Sequence, residues 1–328
     1  MRKIVIDNRV KKRGKSGIPL YAERFLGLKI KGYHIAECSA LSSKGKLGIL
    51  LELLPNLRCE FDSTINVIVH INNNIPILIN PFKNRIVVIH DLGPIVHPEF
   101  YSLQARLMFR AGLFFALRFS SKILLISNSV KSELINFFPK HSSKAQVNHN
   151  FLLDTEVNDI GDFKIDTEKY FVIFSGTSKR KNIYQFLSAL NAIANTDRNF
   201  KIKVIGGLSR KEFRNLDIEI YENIPNDQVN ALLYNSIGLL FPSMYEGFGY
   251  PLVHAMTYSK FIFCGRTAIN KEVLGDYEHT YYHDIFDFKD IENVYQKLLE
   301  NSMKDKKPIK IPIPYTKSSF EQKMLEFL

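Results

Sequence analysis

Glu246 is a carboxylate set directly before Gly247, Phe248 and Gly249 in the run FPSMYEGFGYPLVHAM, residues 241–256, with Pro251 and His254 close behind. The apolar IGLLFPS (237–243) ahead of it reads as a buried strand. YPLVHAM (250–256) reads as a helix with Pro251 in its first turn, where a missing N–H costs little. EGFG is then a strand-to-helix turn. Its glycines let the backbone approach a ligand, and the helix start offers N–H groups suited to a phosphate. A carboxylate does not bind phosphate, so Glu246 is expected to accept hydrogen bonds from hydroxyls beside it. Phosphate and polyol together describe a nucleotide sugar; the plainer alternative is a Gly-rich connection with a surface Glu.

A second turn, FSGTSKRKNIYQFLSAL (174–190), repeats the pattern: a strand, Gly176 and Thr177, then Lys179, Arg180 and Lys181 ahead of a helix opened by Asn182. Cations at a helix start oppose its dipole unless an anion shares the place. A diphosphate held by Lys181, with Arg180 as helper, resolves the conflict. A solvated basic turn is the alternative. The third stretch is RIVVIHDLGPIVHPEF (85–100), which puts His90 and Asp91 at the carboxyl end of a strand, the edge a doubly wound sheet turns to its ligands. A histidine at a strand end is by itself more often structural. His97 and Glu99 read as loop residues.

The elements that must carry these turns are short Val- and Ile-rich runs alternating with helical patterns, the signature of α/β layering with parallel strands. Strands are expected at 3–7, 33–38, 65–70, 85–90 and 122–127, and again at 170–176, 201–207, 237–243 and 261–265. Helices are expected at 98–119, 129–138, 182–195, 226–235, 250–258 and 287–302. The acidic, non-periodic DTEVNDIGDFKIDTEK (154–169) marks a linker. With 328 residues, two domains are the first expectation: a Rossmann-like domain over 1–155, a second over 165–312, and a terminal segment 313–328. Two doubly wound domains facing each other would form a cleft at the carboxyl ends of their strands.

Composition narrows the partners. Residues 1–160 hold 22 Lys+Arg against 12 Asp+Glu, whereas 161–328 hold 22 against 21, so nearly all of the net charge of +11 lies in the first half. An anionic partner is expected to meet that half. Nucleic acid is disfavoured, because the cations are dispersed and no helix-turn-helix, zinc-finger or RRM pattern occurs. No apolar run reaches the ~20 residues of a membrane span, and the first residues have no signal-peptide core, so a cytoplasmic protein is expected. Cys38, Cys59 and Cys264 are scattered and read as reduced structural thiols, with neither a disulfide framework nor a zinc site indicated. In PEFYSLQARLMFRAGLFFALRF (98–119) the arginines are expected to snorkel from a helix packed on the sheet. RVKKRGK (9–15) has five charges and no apolar face.

Taken in order, these stretches resemble the retaining glycosyltransferases of the GT-B fold, family 4, also called glycosyl transferases group 1. PSMYEGFGYPLVHAM is similar to that family's Pro-Ser-x-x-Glu-Gly-Phe-Gly-x-Pro signature, GTSKRKN to its donor-phosphate turn, and IHDLGPIVHPEF to its N-domain motif. SNSVKSEL (127–134), SGIPLYAERFLGLK (16–29) and KEVLGDYEH (271–279) resemble further segments of it. YTKSSFEQKMLEFL resembles the final helix that crosses back to the N-domain. The resemblance implies that Glu246 contacts the donor sugar with the Gly247–Phe248–Gly249 backbone beside it, and that Lys181 neutralises the diphosphate with Arg180 and Thr177 nearby. It implies His90 against the transferred sugar and Gly17 near the phosphate. The family's second carboxylate, which holds the ribose, is replaced here by His254.

What the resemblance implies is a hexosyltransferase that moves a sugar from a nucleoside-diphosphate sugar to a glycan or lipid-linked acceptor of bacterial surface polysaccharide. Inverting transfer needs a general base and double displacement needs a nucleophile with a second acid, whereas one well-placed carboxylate is visible. It suits retention with the leaving diphosphate accepting the acceptor's proton. No Asp-x-Asp occurs, so neither a metal nor any other cofactor is expected. Peripheral attachment to an anionic membrane fits the basic first half. The alternative is a catalytically silent subunit that binds sugar nucleotide or scaffolds a pathway, which His254 motivates.

Overall fold

The computed structural model describes residues 2–7, 17–38, 59, 61–71, 84–154, 156, 168–176, 178–194, 201–209, 213–284, 287–301 and 315–328. The chain divides into two compact units, Met1–Phe151 with Lys317–Leu328, and Leu152–Thr316. The first switch of unit falls just before the expected linker, most of which, like Thr177 and the basic run 9–15, lies outside the described residues.

Unit 1 runs β1 (Arg2–Asp7), α1 (Gly17–Leu26), β2 (Tyr33–Cys38), β3 (Ile65–His70), β4 (Arg85–Ile89), α2 (Gly93–Val96), α3 (Leu103–Phe119), β5 (Lys122–Leu125), α4 (Asn128–Phe137) and β6 (Ala145–Val147). Its described strands form one parallel sheet in the order β2-β1-β3-β4-β5-β6. Strands covered on both faces are near-continuous apolar runs, and β4 is buried along its whole length. Leu113, Ala116 and Leu117 of α3 and Val130 and Leu134 of α4 pack on Val87, Ile89, Ile123 and Leu125. Ser102 and Ser127 start these helices by accepting from the N–H groups of Ala105 and Val130.

Two expectations fail in this unit. The helix expected over 98–119 is broken: Pro98–Phe100 is a 3-10 turn, and α3 begins only after the Ser102 cap. Nor is the helix apolar face all spent on the sheet, since Leu103, Leu107, Met108 and Phe114 are exposed. The thiols are not all reduced either. Cys38, at the end of β2, is bonded to Cys59 with their Cα atoms 6.6 Å apart. The two are 21 residues apart in sequence and meet only because both pack at the cluster of Val5, Ile65 and Ile68, which no spacing rule reveals. Cys264 is free and buried.

Unit 2 runs β7 (Tyr170–Phe174), α5 (Ile183–Ile193), β8 (Lys201–Ile205), β9 (Asp217–Tyr221), α6 (Asn226–Asn235), β10 (Gly238–Phe241), α7 (Tyr250–Thr257), β11 (Phe261–Gly265), α8 (Ala268–Leu274), β12 (Thr280–His283) and α9 (Phe288–Asn301). The sheet is parallel in the order β12-β11-β10-β7-β8-β9. Counted from β7 this is the doubly wound order 6-5-4-1-2-3, whose topological switch lies between β7 and β10. The two ends of the unit pair with each other: Leu152 bridges Thr316, and its N–H donates to the Tyr315 carbonyl at 3.0 Å.

After Thr316 the chain forms α10 (Lys317–Phe327), which belongs to unit 1. Phe320 and Met324 are fully buried there, the Phe320 ring standing 4.6 Å from Phe151 and 6.2 Å from Tyr21. Asn148 Nδ2 donates to the Phe320 carbonyl at 3.0 Å, and Glu321 accepts from the Lys29 N–H at 2.6 Å.

Candidate functional site

β7 and β10 are neighbours in register, so the turns that leave their carboxyl ends start side by side at the switch point. After β7 the chain passes Ser175 and Gly176, makes a 3-10 turn over Lys179–Lys181, and enters α5 through Asn182 in the left-handed conformation at φ 56°. Asparagine tolerates that conformation better than other side chains with a Cβ. After β10 the chain reaches Glu246 and enters α7 through Gly249 at φ 88°. The positive φ favours glycine at 249, and a Cβ there would also press on Leu252 Cδ1 at 3.1 Å.

Three bonds tie the turns together. The Met244 N–H donates to the Arg180 carbonyl at 2.8 Å. Arg180 Nη1 donates to the Tyr245 carbonyl at 2.8 Å and stands 2.6 Å from Glu246 Oε2. On the other side Ser243 Oγ donates to Glu246 Oε1 at 3.1 Å. Both carboxylate oxygens are therefore held, and the plane of Glu246 is fixed by one residue from each turn. Carboxylates retain further acceptor capacity after two such bonds.

Lys181 lies back along Gly176: a Cβ built there would sit 3.5–3.6 Å from Lys181 Cδ, Cε and Nζ. Burial lowers the Lys181 pKa below its ordinary value; the Glu246 charge works against that shift, and Arg180 adds to it. An ammonium left short of solvent beside a guanidinium is a place where an added anion relieves an existing cost. Asn182 is also buried, and neither amide atom of its side chain has a hydrogen-bond partner among the described residues.

Arg180, Lys181, Glu246 and the Gly247–Gly249 backbone thus come together in unit 2. The Phe248 ring is turned inward, edge-on to Tyr250 and Tyr315 at 5.4 and 5.5 Å, so this residue can offer a ligand its backbone only. His254 lies on α7 and stacks on Tyr258 with centroids 6.3 Å apart. His90 and Gly17 belong to unit 1. His90 is buried, donates from Nε2 to the Ile71 carbonyl at 2.8 Å, and faces the Tyr21 ring edge-on. Burial drives its pKa down to about 4, against a smaller opposing effect of the Ile71 bond, so the imidazole is neutral at pH 7. Gly17 opens α1 with open space where a Cβ would stand. Asp91 Oδ1 accepts from the Gly93 N–H, and His97 and Glu99 pair at 3.0 Å beside the 3-10 turn.

Sequence reasoning passed over Ser243 and the amide of Asn182. Ser243 was within sight as the Ser of PSMYEG, three residues before the carboxylate. It also passed over Asp7, His70 and Arg85 in unit 1. Asp7 Oδ2 accepts from His70 Nδ1 at 2.9 Å, and Arg85 Nη1 stands 3.3 Å from His70 Nε2, all three buried. Among the described residues no group of three or more His, Cys, Asp and Glu could hold a metal ion.

Comparison with known proteins agrees with this fold. Residues 157–311 match the family described as glycosyl transferases group 1. The chain is similar to the O-antigen chain mannosyltransferase RfbU of Salmonella typhimurium, 25% identical over 213 residues, a match that spans 62% of this chain and 57% of that protein. Among solved structures it is similar to HepE of Anabaena in complex with UDP and glucose, with a TM-score of 0.69, 14% identity and 99% of both chains covered. It is equally similar to WaaG, a glycosyltransferase involved in lipopolysaccharide biosynthesis, with a TM-score of 0.69, 12% identity and 99% of both chains covered. With its two parallel doubly wound sheets the chain has the GT-B fold, and the stretch that matches glycosyl transferases group 1 falls within its second unit.

Proposed function

We propose that this protein transfers a hexose from a nucleoside-diphosphate sugar to a glycan or lipid-linked acceptor of bacterial surface polysaccharide, with retention of configuration. The observation that carries the reading is the Arg180–Glu246 tie at the switch point, which sets a fixed carboxylate next to Lys181 and a helix start. Lys181 would meet the diphosphate and stabilise it as it leaves, the electrostatic role that dominates such catalysis. Glu246 would accept hydrogen bonds from the donor sugar. His90, neutral and with its Nε2 proton committed to Ile71, would not act as an acid in this reaction. The phosphate-facing charge is already supplied by protein cations, so the reaction is expected to proceed without a metal. The likeness to an O-antigen mannosyltransferase and to a lipopolysaccharide glycosyltransferase supports the acceptor class, and the HepE complex supports UDP as one donor base to try. The basic first half supports work at an anionic membrane surface.

A thermal-shift panel of GDP, UDP, dTDP and ADP tests the donor reading. One nucleotide at about 100 times its Kd should add roughly 2.7 kcal/mol of stability. No response to any of the four would overturn it. A single observation favours the second reading of a silent subunit: an imidazole at 254, where a carboxylate would give two oxygens to a ribose. Nucleotide binding without sugar transfer or donor hydrolysis would decide for it.

A further inference from the structure

The outer side of α3 is not finished as a water-facing surface. Leu103, Leu107 and Phe114, spaced to share one stripe, are 63%, 58% and 64% exposed. Arg110 and Arg118 lie on the same stripe at helical spacing. Beside it is a cavity of about 430 Å³ with apolar walls from Ile95, Phe114, Leu117, Phe137 and Phe138. Its polar lining comes from three basic residues, Arg110, Arg118 and His141. Phe114, Arg110 and Arg118 belong to stripe and cavity alike, so the groove opens on the exposed apolar face.

Charge selects the occupant. Between residues 98 and 145 there are seven Lys and Arg against two Asp and Glu. Neither Arg110 nor Arg118 has a carboxylate partner among the described residues. Burial first, then the charges of Lys144 and Lys140, hold the His141 pKa below its ordinary value, so the lasting charge at the groove is that of the two arginines. A groove of this size with apolar walls and guanidinium groups at its edge suits an amphiphile with one alkyl chain and an anionic head. The stripe around it has the composition of a helix lying in a membrane interface.

We propose that this groove takes one alkyl chain of an anionic membrane lipid, with the lipid phosphate between Arg110 and Arg118 and the α3 stripe in the headgroup layer. The inference deepens the membrane part of the proposed function and names where the contact is made. It also differs from simple charge attraction, because a groove has a length and a flat surface does not.

Titration with octyl, decyl and dodecyl phosphate below their micelle concentrations reads that difference. Affinity should rise roughly fourfold per added methylene until the groove is full. Arg110→Glu with Arg118→Glu, both at exposed positions, should weaken dodecyl phosphate at least tenfold at unchanged melting temperature. Ile95→Trp, which fills the groove, should abolish the chain-length dependence. Equal binding of octyl and dodecyl phosphate, or binding no tighter than inorganic phosphate, overturns the proposal. Sedimentation with phosphatidylglycerol vesicles separates it from the broader reading. Retention lost on neutralising Lys11, Lys12, Arg13 and Lys15, yet untouched by either groove change, would sink the groove and leave membrane attachment standing. Nucleotide binding measured on the same samples reports the donor reading independently of both.

Discussion

The carboxyl edges of the two sheets solve the same local problem in opposite ways. In unit 2 the strands flanking the switch point end in turns whose cations are held out along the chain, Arg180 tied to Glu246 while both keep partial exposure at 23% and 15% of their side chains. In unit 1 the equivalent strands, β1 and β3, end in Asp7 and His70, whose side chains are 10% and 1% exposed and bonded to each other. Arg85 closes that network from β4. Topology offers a ligand crevice at both edges. The difference lies in how the polar groups are satisfied: those of unit 1 bond to one another, while in unit 2 burial and the neighbouring Arg180 hold the Lys181 pKa below its ordinary value. Electrostatics, rather than the doubly wound order, separates the two edges, and it is the unit 2 edge that has the cations the proposed diphosphate would meet.

The comparison breaks most severely at Arg85. Removing one member of a buried charged network leaves the others uncompensated, so Arg85→Met should cost about 4 kcal/mol in urea unfolding while nucleotide affinity stays unchanged. An unaltered urea midpoint would show that the unit 1 network is not structural.

Acid gives the next largest effect and tests both units together. His90 in unit 1 and His283 in unit 2 are buried, burial being the main cause that lowers each to about 4. Below its ordinary value the unfolded chain takes up a proton that the folded one refuses. The stability each contributes is therefore full above pH 6.5 and is lost as pH falls from about 6.5 to 4, on the order of 3 kcal/mol apiece. His90→Phe and His283→Phe should each flatten the stability profile over that window, and a profile as steep as the wild type's would refute the assignment.

Glu246→Gln sharpens the unit 2 side. It keeps the shape of the turn but removes the charge, so turnover should drop ~10²-fold with the melting temperature nearly preserved. Activity within about threefold of wild type would remove Glu246 from the chemistry. The smallest effect is expected at Lys181. Lys181→Ala should weaken nucleoside diphosphate by about 2 kcal/mol and the bare nucleoside hardly at all, as measured by calorimetry. Equal losses for the two would make the turn structural.

Much of unit 2 could be read before any coordinates. EGFGYP and KRKN announce strand-to-helix turns because glycine, proline and asparagine have few other uses in such places, and β7, β10 and β11 are apolar along most of their length. The edge strands β6, β9 and β12 escaped because AQV, DIEIY and TYYH are short and half-exposed, so pairing rather than hydrophobic pattern makes them strands. The tie of Arg180 to Glu246 spans residues far apart in the chain, as do the Asp7–His70–Arg85 network and the Cys38–Cys59 bond. Such contacts follow from register between strands, which a linear pattern does not encode. The groove beside α3 escaped for another reason: residues 98–119 carry apolar side chains all round, and only the packing shows which of them the sheet leaves over.

The place of α10 has a consequence for how the protein is made. Unit 2 is a single uninterrupted stretch whose ends pair at Leu152 and Thr316, so every residue it needs has been synthesised by the time Thr316 leaves the ribosome. Unit 1 began earlier but must wait longer, because the space between Tyr21, Phe25 and Phe151 is filled by Phe320. Domains ordinarily finish from the N-terminus onward during synthesis. In this chain the order of completion is reversed: unit 2 has all of its residues before unit 1 does, and unit 1 holds an open apolar seam until the residues after 316 arrive.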